Sequence, residues 1–76
     1  MKQFSISIHS FADILEFVSL SSQQPFDITV GDAQEISGKS LMAMLGLNFR
    51  HPVLVSVNCD ETAFLQFQSA AAKFLA

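Results

Sequence analysis

The stretch Phe4-Ser5-Ile6-Ser7-Ile8-His9-Ser10-Phe11-Ala12-Asp13-Ile14-Leu15-Glu16-Phe17-Val18 changes its period halfway along. Phe4, Ile6 and Ile8 alternate with Ser5 and Ser7, and that period of two predicts a half-buried strand over 2–8. From Ser10 onward the apolar positions are Phe11, Ile14, Leu15 and Val18, spaced i, i+3, i+4, i+7, which predicts a helix ending near Ser21 or Ser22. Ser10 with Asp13 three residues later has the form of a capping box, with Asp shorter than the usual Glu. A strand running directly into an amphipathic helix places both element types in one domain.

Downstream the same two periods alternate. Pro25 ends any helix before it. Phe26, Ile28 and Val30 alternate with Asp27 and Thr29 as a second strand, and Gly31-Asp32 makes a tight turn. A short third strand over 33–37 points Ile36 inward and is broken by Gly38. Ser40 precedes Leu41-Met42-Ala43-Met44-Leu45, a short apolar helix stopped by Gly46. Pro52 opens a fourth strand, with Val53, Val55 and Val57 alternating with Leu54 and Ser56. Asn58 with Glu61 offers a second capping box, and the last helix carries Phe64, Phe67, Ala71, Phe74 and Leu75 on one stripe. The order is βαββαβα. Three helices are too few to cover both faces of a four-stranded sheet, so the expected class is α+β, an open-faced sandwich with all helices on one face. The other face carries Ser5, Ser7, Asp27, Thr29, Leu54 and Ser56, as a solvated antiparallel sheet does.

Composition narrows the function. The chain has 76 residues, read as a single domain over 1–76; half of them are hydrophobic, with eight Phe, ample for a core without disulfide or metal. A mean hydropathy of +0.39 is high for so small a domain and points to a protein partner or a homo-oligomer. The net charge is −3, and the four cations Lys2, Lys39, Arg50 and Lys73 are scattered, which argues against a nucleic-acid surface. One free cysteine, Cys59, and a start that leads straight into a strand suit a reducing cytoplasm. No apolar run approaches the roughly 20 residues that cross a bilayer. The two histidines, His9 and His51, lack metal-ligand spacing, so neither a metal nor another cofactor is expected.

The segment Gly38-Lys39-Ser40-Leu41-Met42-Ala43-Met44-Leu45-Gly46-Leu47 resembles the Lys-Ser-Ile/Leu-Met-Gly-Val-Met segment of the HPr family, the histidine-containing phosphocarriers of the bacterial sugar phosphotransferase system. Residues Leu15 to Val30 align without gaps to that family's first helix and second strand, and Asp60 to Leu75 resemble its last helix. The resemblance implies a four-stranded antiparallel sheet in the order 1-4-2-3 under three helices. It also implies a docking surface for partner proteins around the start of the first helix and the short second helix, here Ser10, Phe11, Ser40, Leu41, Met44, Leu45 and Leu47. Ser40 matches the position that a kinase phosphorylates for regulation in many Gram-positive HPr proteins.

The departure lies at the family's active site, Gly-Leu-His-Ala-Arg-Pro-Ala. The aligned residues are Ile8-His9-Ser10-Phe11-Ala12-Asp13-Ile14, with Ser10 at the phospho-accepting His, Ala12 at the Arg and Asp13 at the Pro. A phosphohistidine site needs an imidazole, helix-start N–H groups and a cation. A carboxylate about 4 Å from a phosphate charge costs roughly 4 kcal/mol at an effective dielectric near 20. A helix N-terminus returns at most about 2 kcal/mol. The expectation is therefore a non-enzymatic regulatory or adaptor module that binds phosphotransferase-type partners. One alternative is a working phosphocarrier using His9, one residue early; the other is a small-ligand-binding α/β domain. The plain readings are a loop histidine for His9, helix caps for Ser10 and Ser40, and an inert thiol for Cys59.

Overall fold

A computed structural model describes residues 2–31, 35–47 and 49–76. The elements run β1 (Lys2–Ile6), α1 (Phe11–Ser22), β2 (Ile28–Val30), β3 (Ile36–Ser37), α2 (Leu41–Leu45), β4 (Val53–Val57) and α3 (Glu61–Ala70), followed by a 3₁₀ turn over Ala72–Phe74. The four strands form one antiparallel sheet in the order β1-β4-β2-β3. This is the α+β architecture that the alternation of periods implies.

The register explains the two faces. Phe4 and Val30 both pair with Val55, Ile6 with Val53, and Ile28 with Val57, so the inward positions of three strands line up as one apolar surface. All seven of these side chains are buried. One residue out of phase, Gln3 and Thr29 pair with Ser56, and Ser5 with Leu54. There Gln3 Nε2 donates to Ser56 Oγ at 3.1 Å and Thr29 Oγ1 to the Ser56 carbonyl at 3.4 Å. A one-residue slip would exchange these faces, so burial fixes the pairing.

Phe67 of α3 joins the layers. Its ring packs against Phe4 of the sheet, Phe17 of α1 and Phe26 before β2, with centroids 5.8, 6.2 and 5.8 Å away. The Phe4 and Phe26 pairs are edge-on and the Phe17 pair is tilted; edge-on pairs contribute about 0.5–1.5 kcal/mol each beyond area burial. Phe74 closes the core from the 3₁₀ turn, edge-on to Phe17 at 5.8 Å.

Two turns require glycine. Gly31 has φ = 117°, a conformation that L side chains rarely adopt. Gly38 lies against β2, where a Cβ would stand 2.8 Å from Ile28 Cγ2 and 3.2 Å from Val30 Cγ2. Asp32, the partner of Gly31 in the expected turn, and residues 33–34 of the expected third strand lie outside the described residues; the described strand is Ile36–Ser37.

Three expectations are corrected. The first strand ends at Ile6 and not at 8, because Ser7 N–H donates to the Phe74 carbonyl at 2.7 Å, and Ile6 bridges Leu75 on the free edge of β1. The cap of α3 is Asp60, whose Oδ1 accepts the Ala63 N–H at 2.7 Å. Asn58 instead extends the ladder, donating its N–H to the Asp27 carbonyl at 3.3 Å. The helix ends at Ala70; Phe74 of the expected stripe is still buried from the 3₁₀ turn, but Leu75, extended at φ −60° and ψ 132°, is exposed and not part of the core.

Candidate functional site

The start of α1 is closed by its own side chains. Ser10 is extended, at φ −153° and ψ 164°, and its Oγ accepts the Asp13 N–H at 3.2 Å. The Asp13 carboxylate reaches back and accepts the His9 N–H at 3.1 Å. The capping box predicted from Ser10 and Asp13 is thus present, but its return bond goes one residue further out, to His9 and not to Ser10. Ser10, Phe11 and Ala12 are exposed, as is His9. Of the first-turn donors the Asp13 N–H is taken by Ser10, and the Asp13 carboxylate stands where an anion site would need positive charge.

An open cleft of about 320 Å³ adjoins this helix start, lined by Ile8, His9, Ser10, Ile14, Phe49 and Arg50. Arg50 is the residue that reading the chain in order missed. Its position follows from the register: Ile6, the last residue of β1, pairs with Val53, the first of β4, so the segment after β1 and the segment before β4 meet at one end of the sheet. The pairing of the first and fourth strands was the signal that could have found it.

The second candidate segment is α2. Ser40 caps it, Oγ accepting the Ala43 N–H at 3.3 Å. Lys39 beside it donates its Nζ to the Gln24 carbonyl at 2.8 Å, just past the end of α1. In a five-residue helix only one side meets the sheet. Leu41 and Met44, spaced i, i+3, take that side: Leu41 is half-buried and Met44 has no exposed surface. Met44 was expected at a docking surface and is a core residue. Met42 and Leu45, also i, i+3, face the other way and are 83% and 46% exposed. Met42 belongs to the outward face although the sequence singled out Met44. Leu47 is half-buried against the core. Phe11 and Leu15, spaced i, i+4 on α1, are 56% and 43% exposed, and α1 packs against α2.

The remaining reactive groups stand apart from this site. His51 is exposed, with Nδ1 3.1 Å from the Pro52 carbonyl oxygen. Cys59 is half-buried; burial, and next the neighbouring Asp60 carboxylate, push its thiol up from the usual range, while Lys2 opposes. Among the described residues no group of three or more His, Cys, Asp or Glu side chains could hold a metal ion, and no helix is long and apolar enough to cross a membrane.

No protein-family model and no curated protein matches the chain. Among solved structures it is similar to the crystal structure of HPr-C-His from Thermoanaerobacter tengcongensis, with a TM-score of 0.66 and 25% sequence identity over 96% of this chain and 92% of that one. The fold is HPr-like, and it is carried across nearly the whole chain.

Proposed function

We propose that this chain is a non-enzymatic, cytoplasmic module of the sugar phosphotransferase type, a regulatory or adaptor protein that docks a protein partner and carries no phosphoryl group. The supporting observation is the start of α1, where Ser10 Oγ takes the Asp13 N–H, the Asp13 carboxylate stands in the first turn, and Ala12 supplies no cation at the position where the resemblance implies an Arg. Around it, Phe11, Leu15, Met42 and Leu45 offer an apolar surface on two helices that pack together. Met is adaptable at such surfaces. Ser40 is the candidate for regulatory modification, since a phosphate there would fall at the edge of the docking face.

The test is a titration of isotope-labelled protein with enzyme I of a phosphotransferase system. Amide shifts are expected to concentrate in 10–15 and 40–47. Phe11→Ala or Leu45→Ala is expected to weaken binding by about tenfold or more, as truncated anchors do. Shifts centred on the polar sheet face, or indifference to both substitutions, would overturn the docking reading.

One observation favours a second reading. Arg50 and His9 line one cleft, so a cation from the segment before β4 stands near the imidazole that a shifted phosphocarrier would use. Acid-labile phosphorylation lost in His9→Ala is the test of that reading.

A further inference from the structure

The outer edge of the sheet at β1 is covered by the chain's own residues 74–76. Ser7 N–H donates to the Phe74 carbonyl at 2.7 Å, and Ala76 N–H donates to the Ser5 carbonyl at 3.1 Å. Between these bonds Leu75 stands across from Ile6. The covering segment is anchored at its start. There the Phe74 ring is buried edge-on to Phe17 at 5.8 Å, and Lys73 Nζ donates to Glu16 Oε2 of α1. Past Phe74 the hold is lighter, since Leu75 and Ala76 are both exposed. A sheet edge of unpaired N–H and C=O groups is a template for another strand, and proteins blunt it by laying a loop across it.

Successive residues of a strand turn their backbone groups to opposite sides. The Ser5 carbonyl points outward to Ala76, so the Ser5 N–H and both groups of Gln3 point outward too, while Lys2, Phe4 and Ile6 serve the ladder to β4. This outward set is its own complement. Two antiparallel copies of β1 with Phe4 opposite Phe4 place Gln3 opposite Ser5 on both sides of the centre, and each such pair exchanges both of its N–H···O=C bonds. The same register keeps Phe4 on the apolar face and Gln3 and Ser5 on the polar face, so both faces of the sheet continue from one copy into the next. Lys2 is the one charged residue of β1 and falls opposite Ile6. The two ammonium groups then lie about 13 Å apart along the strands, beyond the screening length at physiological salt. In the covered edge, Leu75 takes the place beside Ile6 that Lys2 of the second copy would fill, and Ala76 holds the Ser5 carbonyl.

We infer that residues 75–76 guard the β1 edge, and that lifting them lets two copies of this chain pair antiparallel through β1, about a twofold axis at Phe4, so that their sheets join into one. The interface is isologous, each copy offering Gln3 and Ser5 to the other. Phe74 stays in its own core throughout, so only the exposed pair beyond it has to move. The contact uses none of Phe11, Leu15, Met42 and Leu45; the inference goes beyond the docking reading and does not depend on it.

The experiment compares the full chain with a chain ending at Phe74, by sedimentation equilibrium and amide hydrogen exchange. The full chain is expected to be a monomer in which the Gln3 and Ser5 amides exchange freely while those of Phe4 and Ile6 are protected. The shortened chain loses only exposed residues and is expected to melt near the parent. It is expected to dimerise at least about tenfold more tightly than the full chain, and to protect Gln3 and Ser5. Ser5→Pro in the shortened chain is expected to abolish the dimer and leave the monomer folded, because the Ser5 N–H faces outward and proline is tolerated there on an edge strand. Ala76→Pro in the full chain deletes only the N–H held by the Ser5 carbonyl, and Leu75, at ψ 132°, already has the conformation that precedes a proline. Association between that of the full and shortened chains is expected for it. A shortened chain and an Ala76→Pro chain that are both as monomeric as the parent would overturn the inference, as would a dimer indifferent to Ser5→Pro or a full chain that is already a dimer.

Discussion

Removing the Ser10 hydroxyl tests the cap on which the functional reading stands. In Ser10→Ala the Asp13 N–H, now held at 3.2 Å by Ser10 Oγ, loses its protein partner. Water can reach the exposed helix start, which places the cost near the middle of the capping range, about 1 kcal/mol. Asp13→Ala removes the bond to the His9 N–H and the favourable charge at the helix start, about 0.5–1 kcal/mol. Ser10 Oγ bonds the Asp13 backbone within one capping network, so the double variant is expected to depart from additivity by about 0.5 kcal/mol or more. An unfolding entropy near 2.1 cal/mol/K per residue makes 1 kcal/mol about 6 °C in Tm for a 76-residue chain. Calorimetric melts of the four proteins, with urea titrations for the free energies, supply the cycle. Asp13→Pro is expected to cost about as much as Ser10→Ala and Asp13→Ala together, because it deletes both the N–H that Ser10 caps and the carboxylate that holds the His9 N–H, and in a Ser10→Ala background to cost about what Asp13→Ala does. A Ser10→Ala melt within 1 °C of the parent, or an Asp13→Ala variant more stable than the parent, would refute the capped-helix account.

Three further outcomes follow from buried and close-packed positions. Ser21 is fully buried on α1 and its Oγ has no hydrogen-bond partner, so Ser21→Ala is expected to raise stability by about 1 kcal/mol in denaturant titrations. Gly38→Ala is expected to lower it by about 1–3 kcal/mol, because the added Cβ meets Ile28 Cγ2 at 2.8 Å. The Cys59 thiol is raised in the folded state, chiefly by burial. Its contribution to stability is therefore present below the ordinary thiol range and fades as pH climbs through and above it; Cys59→Ser is expected to flatten that alkaline decline. Native Cys59 is also expected to alkylate more slowly near neutral pH than the urea-unfolded thiol.

What the sequence showed directly was whatever depends on neighbours along the chain. The alternation of Phe4, Ile6 and Ile8 and of Val53, Val55 and Val57 reports which face each strand buries, and both sets are buried. The Ser10 and Ser40 caps are local too, and both are present. What stayed hidden depended on partners distant in the chain. Arg50 reaches the His9 cleft only because β1 lies beside β4. The choice between Met42 and Met44 depended on how α2 rolls on the sheet, which five residues of nearly uniform hydrophobicity do not specify. Asn58 and Asp60 are both good caps, and the ladder to Asp27 settled Asn58 in the strand extension. Leu75 continued the helical period on paper, but its backbone was claimed by the edge of β1.

The central claim is that the start of α1 does not carry a phosphoryl group, and labelling tests it most directly. The wild-type chain is incubated with enzyme I and radiolabelled phosphoenolpyruvate, and acid-labile protein-bound label is counted. The account predicts no label on the wild type and little on Ser10→His alone, since Asp13 still opposes capture and Ala12 supplies no guanidinium in the first turn. Label is expected in the combined Ser10→His, Ala12→Arg, Asp13→Pro variant, which restores acceptor and cation together. Acid-labile label on the wild type that disappears in His9→Ala would contradict the claim and make His9, with Arg50 beside it, the site of a working phosphocarrier.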